Sequence, residues 1–143
     1  MEEPYLLTLR PHYKGLPIPM AVLVKDGKPD FAVVDFAAVF DLAGQKRCAL
    51  CGTRMRGNRY AFIGGPVSKA NHLYQDGPMH PDCASYAAEV CPFIAGRKDD
   101  YRDGGDRPDE MHITIYDSYE DTYITHGYPP SRERVFRAGD EIE

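Results

Sequence analysis

Cys48-Ala49-Leu50-Cys51-Gly52 and, 28 residues further on, His80-Pro81-Asp82-Cys83 are the two stretches on which the fold of this 143-residue chain turns. The first is a C-x2-C-G knuckle and the second an H-x2-C pair, together a Cys3His set of the kind that closes a tetrahedral zinc shell. A knuckle brings two thiolates to one ion by a tight turn, and Gly52 relieves the backbone just beyond it. Residues three apart at a helix start face the same side, so His80 and Cys83 can point at that ion too. Knuckle, hairpin and a helix donating two ligands from its first turn is the order of a treble clef. A shell of four protein ligands has no open position, so the single zinc ion expected at Cys48, Cys51, His80 and Cys83 is structural and not catalytic.

The remaining cysteine, Cys91, lies eight residues beyond Cys83, about 12 Å along a continuing helix. With Cys83, Ala87 and Val90 it forms a helical stripe that suits a small buried hydrophobe, and it is assigned to the core. The alternative is that Cys91 replaces His80 as a ligand. Three thiolates around Zn²⁺ leave a net charge of about −1. Lys46, Arg47, Arg54, Arg56 and Arg59 surround the knuckle in a stretch without acid, and part of that cluster offsets the thiolate charge.

Outward from the knuckle, Met20 to Lys25 and Phe31 to Val34 flank an Asp26-Gly27 turn and predict a hairpin. Asp35 caps a helix whose apolar residues Phe36, Val39, Phe40 and Ala43 recur with helical spacing, with Gly44 at its end. Tyr60 to Ile63, a break at Gly64-Gly65-Pro66, and His72 to Tyr74 predict a second hairpin. Pro81 opens a second helix that runs to Val90 and is stopped by Pro92. Met111, Ile113 and Ile115 alternate with polar residues, and Thr122 to Thr125 returns as their partner strand. The expectation is an α+β fold: a treble-clef-type zinc centre with two β-hairpins, two short helices and a C-terminal strand pair. It is read as a single domain over residues 1–143, with a zinc-centred core at 15–95, an acidic exposed loop at 96–110, and C-terminal strands and tail at 111–143.

The residues Gly15-x-Pro17-x-Pro19, Asp26 to Phe31, Cys48-x2-Cys51-Gly52, Gly65-Pro66, Pro78-x-His80-x2-Cys83 and Tyr86-Ala87-Ala88-x2-Cys91-Pro92-Phe93 resemble a family of small uncharacterised proteins of actinobacteria and bacteriophages. The resemblance covers about residues 15–95 and departs at Ala49-Leu50, where those proteins carry a Trp. It implies a zinc site and a phage or mobile-element setting.

Length and composition bound the function. At 143 residues and 43% hydrophobic content the chain can bury a single core, and it has no apolar run of bilayer length and no signal-like start. A soluble, cytoplasmic protein without membrane association is expected. The net charge of −5 divides unevenly: residues 1–98 hold 12 Lys+Arg against 9 Asp+Glu, and residues 99–143 hold 5 against 13. Nucleic-acid binders usually carry an overall basic footprint, so this balance ranks nucleic acid below protein as a partner.

Other chemistry is poorly represented. Asp99, Asp103, Gly104 and Glu110 fall at the first, fifth, sixth and twelfth positions of a calcium loop, but Tyr101 occupies the third and the following residues are strand-like. No G-x-S-x-G, P-loop or G-x-G-x-x-G is present, and His12, His72, His112 and His126 share no ligand spacing. The leading expectation is a non-enzymatic protein-interaction module, a phage accessory protein or host-target inhibitor. Its contact surface is placed on Asp99, Asp100, Tyr101, Asp103, Tyr116 and Tyr119, with Tyr123 and Tyr128 beside them. The alternative is a nucleic-acid-binding or nuclease-related protein that uses Arg54, Arg56 and Arg59, with His72 as the hairpin histidine.

Overall fold

The computed structural model describes residues 2–90 and 111–142. The expected acidic loop, the calcium-like pattern, Cys91, Asp99, Asp100, Tyr101 and Asp103 lie outside the described residues. The fold is mixed α/β, with four helices and four small sheets among the described residues.

The N-terminal elements follow from local chemistry. A single turn, α1 (Tyr5–Thr8), precedes a short ribbon of β1 (His12–Tyr13) and β2 (Leu16–Pro17). The expected hairpin then forms from β3 (Val22–Lys25) and β4 (Lys28–Val34). Asp26 and Gly27 both take positive φ, 53° and 75°, as a two-residue primed turn requires. Helix α2 (Phe36–Gly44) begins where the Asp35 carboxylate accepts the Ala38 N–H at 3.2 Å. Its buried face is Val39, Phe40, Leu42 and Ala43. Phe36, expected on that face, is 53% exposed.

The expected second hairpin does not form. β5 (Tyr60–Gly64) and β6 (Leu73–Tyr74) are separated by a helix, α3 (Pro66–Asn71), and each pairs with a strand from the C-terminal third. Pro66 stands at the first position of α3, where its fixed φ favours helix and its missing N–H costs nothing. Tyr60, Ala61, Phe62 and Ile63 are all buried, so β5 is an interior strand that pairs along its length with β7 (His112–Tyr116). The C-terminal strand pair is corrected likewise. β8 (Tyr119–His126) pairs with β9 (Ser131–Ala138) and not with β7, in a sheet of order β6-β9-β8. Asp117 and Ser118 cannot turn the chain back because they are bonded elsewhere. The Asp140 N–H donates to the Asp117 carboxylate at 3.0 Å and the Gly139 N–H to the Ser118 carbonyl at 2.9 Å.

These long-range pairings enclose an aromatic core. Phe62, Tyr116 and Phe136 are fully buried. Phe62 stacks on Tyr74 with ring centroids 4.7 Å apart, and Phe40 of α2 stacks on Phe136 of β9 at 4.6 Å. The Tyr74 and Tyr116 hydroxyls meet at 2.7 Å, so neither buried O–H lacks a partner. The Tyr119 hydroxyl donates at 2.6 Å to the Ala43 carbonyl, which also accepts the Lys46 N–H at 3.1 Å, and so ties β8 to the end of α2. Helix α4 (Pro81–Val90) runs as expected, with Pro81 opening it and Cys83, Ala84 and Tyr86 buried.

Candidate metal centre

The knuckle is a closed turn held from several sides. The Gly52 N–H donates to the Cys48 carbonyl at 2.9 Å and the Cys48 N–H to the Thr53 carbonyl at 3.0 Å. Gly52 takes φ of 77°, and a Cβ there would lie 2.7 Å from Cγ of Met20, which covers the turn. Met20 and Ala21 donate their N–H groups to the carbonyls of Leu50 and Ala49, and the Ala49 N–H donates to the Pro78 carbonyl, each at 3.0 Å. This last bond ties the knuckle to the strand-like approach to α4. At the start of α4 the His80 carbonyl accepts the Ala84 N–H at 2.9 Å, which fixes His80 at the helix entrance with Cys83 one turn on.

The four expected ligands come together. One donor atom from each of Cys48, Cys51, His80 and Cys83 lies within 4.8 Å of every other. The Cys51 sulfur is 3.3 Å from Nδ1 of His80, and the Cys83 sulfur is 4.0 Å from the same atom. A tetrahedral zinc ion with ordinary Zn–S and Zn–N bonds places its donors about 3.6–3.8 Å apart, so the cluster fits such an ion with small adjustments. The three cysteines are buried and His80 is half-buried. Backbone N–H groups are aimed at the sulfurs: Leu50 and His80 donate to Cys48, and Thr53 donates to Cys51, each at 3.4 Å. The Thr53 bond favours the thiolate form of Cys51.

The donors perturb one another as a metal-ready set does. Hydrogen bonding with Cys48, and then with Cys83, holds the Cys51 thiol far below its ordinary range. His80, hydrogen-bonded to Cys48 and Cys51, is pushed up to about 10. Cys83 shares the same two partners and is pushed above the ordinary thiol range. A thiolate beside an imidazolium binds a divalent cation by releasing protons, which couples metal affinity to pH.

Arg10, which sequence reading did not single out, borders this centre. Its Nε donates to the Ile18 carbonyl at 2.9 Å, burial lowers its pKa, and the charge on Cys51 opposes that shift. No local pattern links Arg10 to Cys51, since the β1–β4 segment between them brings the two together only in the fold. Arg54 and Arg56 are exposed beside the knuckle, and Arg59 is exposed immediately before β5. The aromatic part of the expected contact surface needs correction. Tyr116 is fully buried and bonded to Tyr74, and Tyr119 is half-buried against Tyr60, Phe62 and Phe136. Both belong to the core wall: β7 is buried at Thr114, Ile115 and Tyr116 alike, and the Tyr119 ring packs inward against Phe62. Tyr123 and Tyr128 are exposed, by 51% and 99%. His72 ends α3 in a left-handed conformation, with its Nδ1 3.0 Å from the Gly139 carbonyl and its ring against Tyr116, and it takes no part in the Cys/His cluster.

No family model, curated protein or solved structure matches this chain. No helix among the described residues is long and apolar enough to cross a membrane.

Proposed function

We propose that this chain is a structural-zinc protein acting as a non-enzymatic interaction module, with a protein of a phage or of its host as partner. The observation that carries the reading is the set of four donor atoms within 4.8 Å, three of them on buried cysteines. Four protein ligands complete a tetrahedral shell, so the ion would hold the knuckle against α4 and leave no position for water or substrate. The order of knuckle, β-segment and helix supports a treble-clef-type centre in which β5, α3 and β6 take the place of a simple hairpin. Reduced thiols suit a cytoplasmic setting. The outer half of the β8–β9 hairpin offers a contact surface, because Tyr123 on β8 and Tyr128 in the turn are exposed large side chains and Arg132 lies 4.2 Å over the Tyr123 ring.

Metal analysis of the purified protein, joined to affinity capture from host extract, tests this reading. It expects close to one zinc per chain and a captured protein whose binding is lost in a Tyr123→Ser/Tyr128→Ser variant that keeps its metal. A well-folded, reduced sample without metal, or zinc-dependent turnover of a substrate, would overturn it.

A further inference from the structure

A second surface, separate from the hairpin tip, carries unneutralised positive charge. Lys46, Arg54, Met55, Arg56, Gly57, Asn58 and Tyr60 line an open groove of about 490 Å³ beside the knuckle. The side chains of Arg54 and Arg56 make no hydrogen bond or ion pair among the described residues. Several other surface charges are matched, as in Arg134 with Asp121, Arg137 with Glu120 and Lys69 with Glu141. Lys46 projects over the Tyr119 ring at 4.0 Å and the Tyr60 ring at 5.3 Å, so its ammonium is held at the groove wall. The groove thus has three cations, one of them held against its wall, and no acid among its lining residues.

We propose that this groove binds the phosphate backbone of duplex DNA without reading its sequence. A concave site receives a ridge, and the sugar-phosphate backbone is the ridge of a duplex, whereas base reading requires an element that enters a groove of the DNA. A protein partner anchored by apolar side chains finds no pocket here, because the apolar lining residues Met55 and Tyr60 are only 3% and 5% exposed. A single strand would need an exposed aromatic platform, and Tyr60 is buried. Guanidinium groups at Arg54 and Arg56 suit bidentate contacts to phosphate. Three cations give weak, strongly salt-dependent binding, in keeping with the ranking that the overall charge suggested.

The test is a fluorescence-anisotropy titration of the zinc-loaded protein with a random-sequence duplex from 25 to 150 mM salt. Three phosphate contacts give a slope of about −2.7 in log K against log salt, a loss of roughly a hundredfold across that range. In Arg54→Gln/Arg56→Gln the slope is expected to fall to about −0.9, with zinc content and near-ultraviolet circular dichroism unchanged. The proposal is overturned if there is no binding at 25 mM salt, if the double variant binds as the parent does, or if the single strand binds more tightly than the duplex. Displacement of the duplex by a lower concentration of polyglutamate, in equal charge, would assign the groove to an acidic protein segment and would equally overturn it.

Discussion

Removing the proposed zinc ion is the perturbation whose size follows most directly from the structure. An ion held by Cys48, Cys51, His80 and Cys83 cross-links two segments separated by 28 residues. Closing a loop of that order restricts the unfolded chain by about 4 kcal/mol on the chain-entropy model used for disulfides. That figure is a lower bound, because it leaves out the bonds between the ion and its four donors. Apparent zinc-binding energies of roughly 10–16 kcal/mol in small zinc peptides mark the upper end. For a chain of this size, 4 kcal/mol corresponds to a fall in Tm of roughly 10–15 °C. Calorimetry of the zinc-loaded protein before and after a strong chelator measures it, and hydrogen exchange locates it. Exchange is expected to rise first at Cys48–Thr53 and at the start of α4, and least in β5 and β7. A Tm that moves by less than about 3 °C on complete metal removal would refute the cross-link argument.

Three further outcomes are expected. Gly52→Ala places a Cβ 2.7 Å from Met20 Cγ at a residue with φ of 77°, so it should cost about 1–3 kcal/mol in denaturant unfolding and weaken zinc retention against a competing chelator. Burial pushes the Asp76 carboxyl up to about 6, above its ordinary value, so the folded state holds this proton to higher pH than the unfolded state. The resulting penalty is absent below about pH 4 and complete above about pH 6, and Asp76→Asn should therefore stabilise by about 1–2 kcal/mol at pH 7.5 with no gain at pH 4, as read from melts at both pH values. Tyr116→Phe removes one partner of the buried hydroxyl pair with Tyr74 and should cost about 1–2 kcal/mol without changing zinc content.

The clustering of Cys48, Cys51, His80 and Cys83 was legible in the sequence because ligand spacing encodes the geometry round a single ion. The Asp26-Gly27 turn, the Asp35 cap and the Pro81 start are equally local, and each appears where its chemistry placed it. Strand partners are a different kind of information. Tyr60 to Ile63 carries no alternation, since all of it is interior, and its partner β7 lies far along the chain. Nearby turn residues suggested a hairpin with β6, yet Gly65-Pro66 serves equally well as a helix start. The tyrosines show the same ambiguity. Aromatic residues alternating with polar ones suit an exposed face or a half-buried strand, and only the pairing of β7 with β5 and of β8 with β9 settles Tyr116 and Tyr119 as interior. Arg10 had no legible link to the centre, because its relation to Cys51 is electrostatic and tertiary.

The way β5 and β6 draw their partners from opposite ends of the C-terminal third bears on how this protein can be dissected. A fragment ending near residue 90 retains all four candidate metal ligands, yet it would present the inner faces of Phe62 and Tyr74 to water and leave β5 and β6 without β7 and β9. Zinc binding and solubility would then come apart: such a fragment should still take up metal while associating through its bared aromatic surface. The boundary suggested by the cysteines is therefore a poor place to cut. Fusions and truncations that keep Ala138 in place on β9 should behave better than shorter ones that contain the whole metal site.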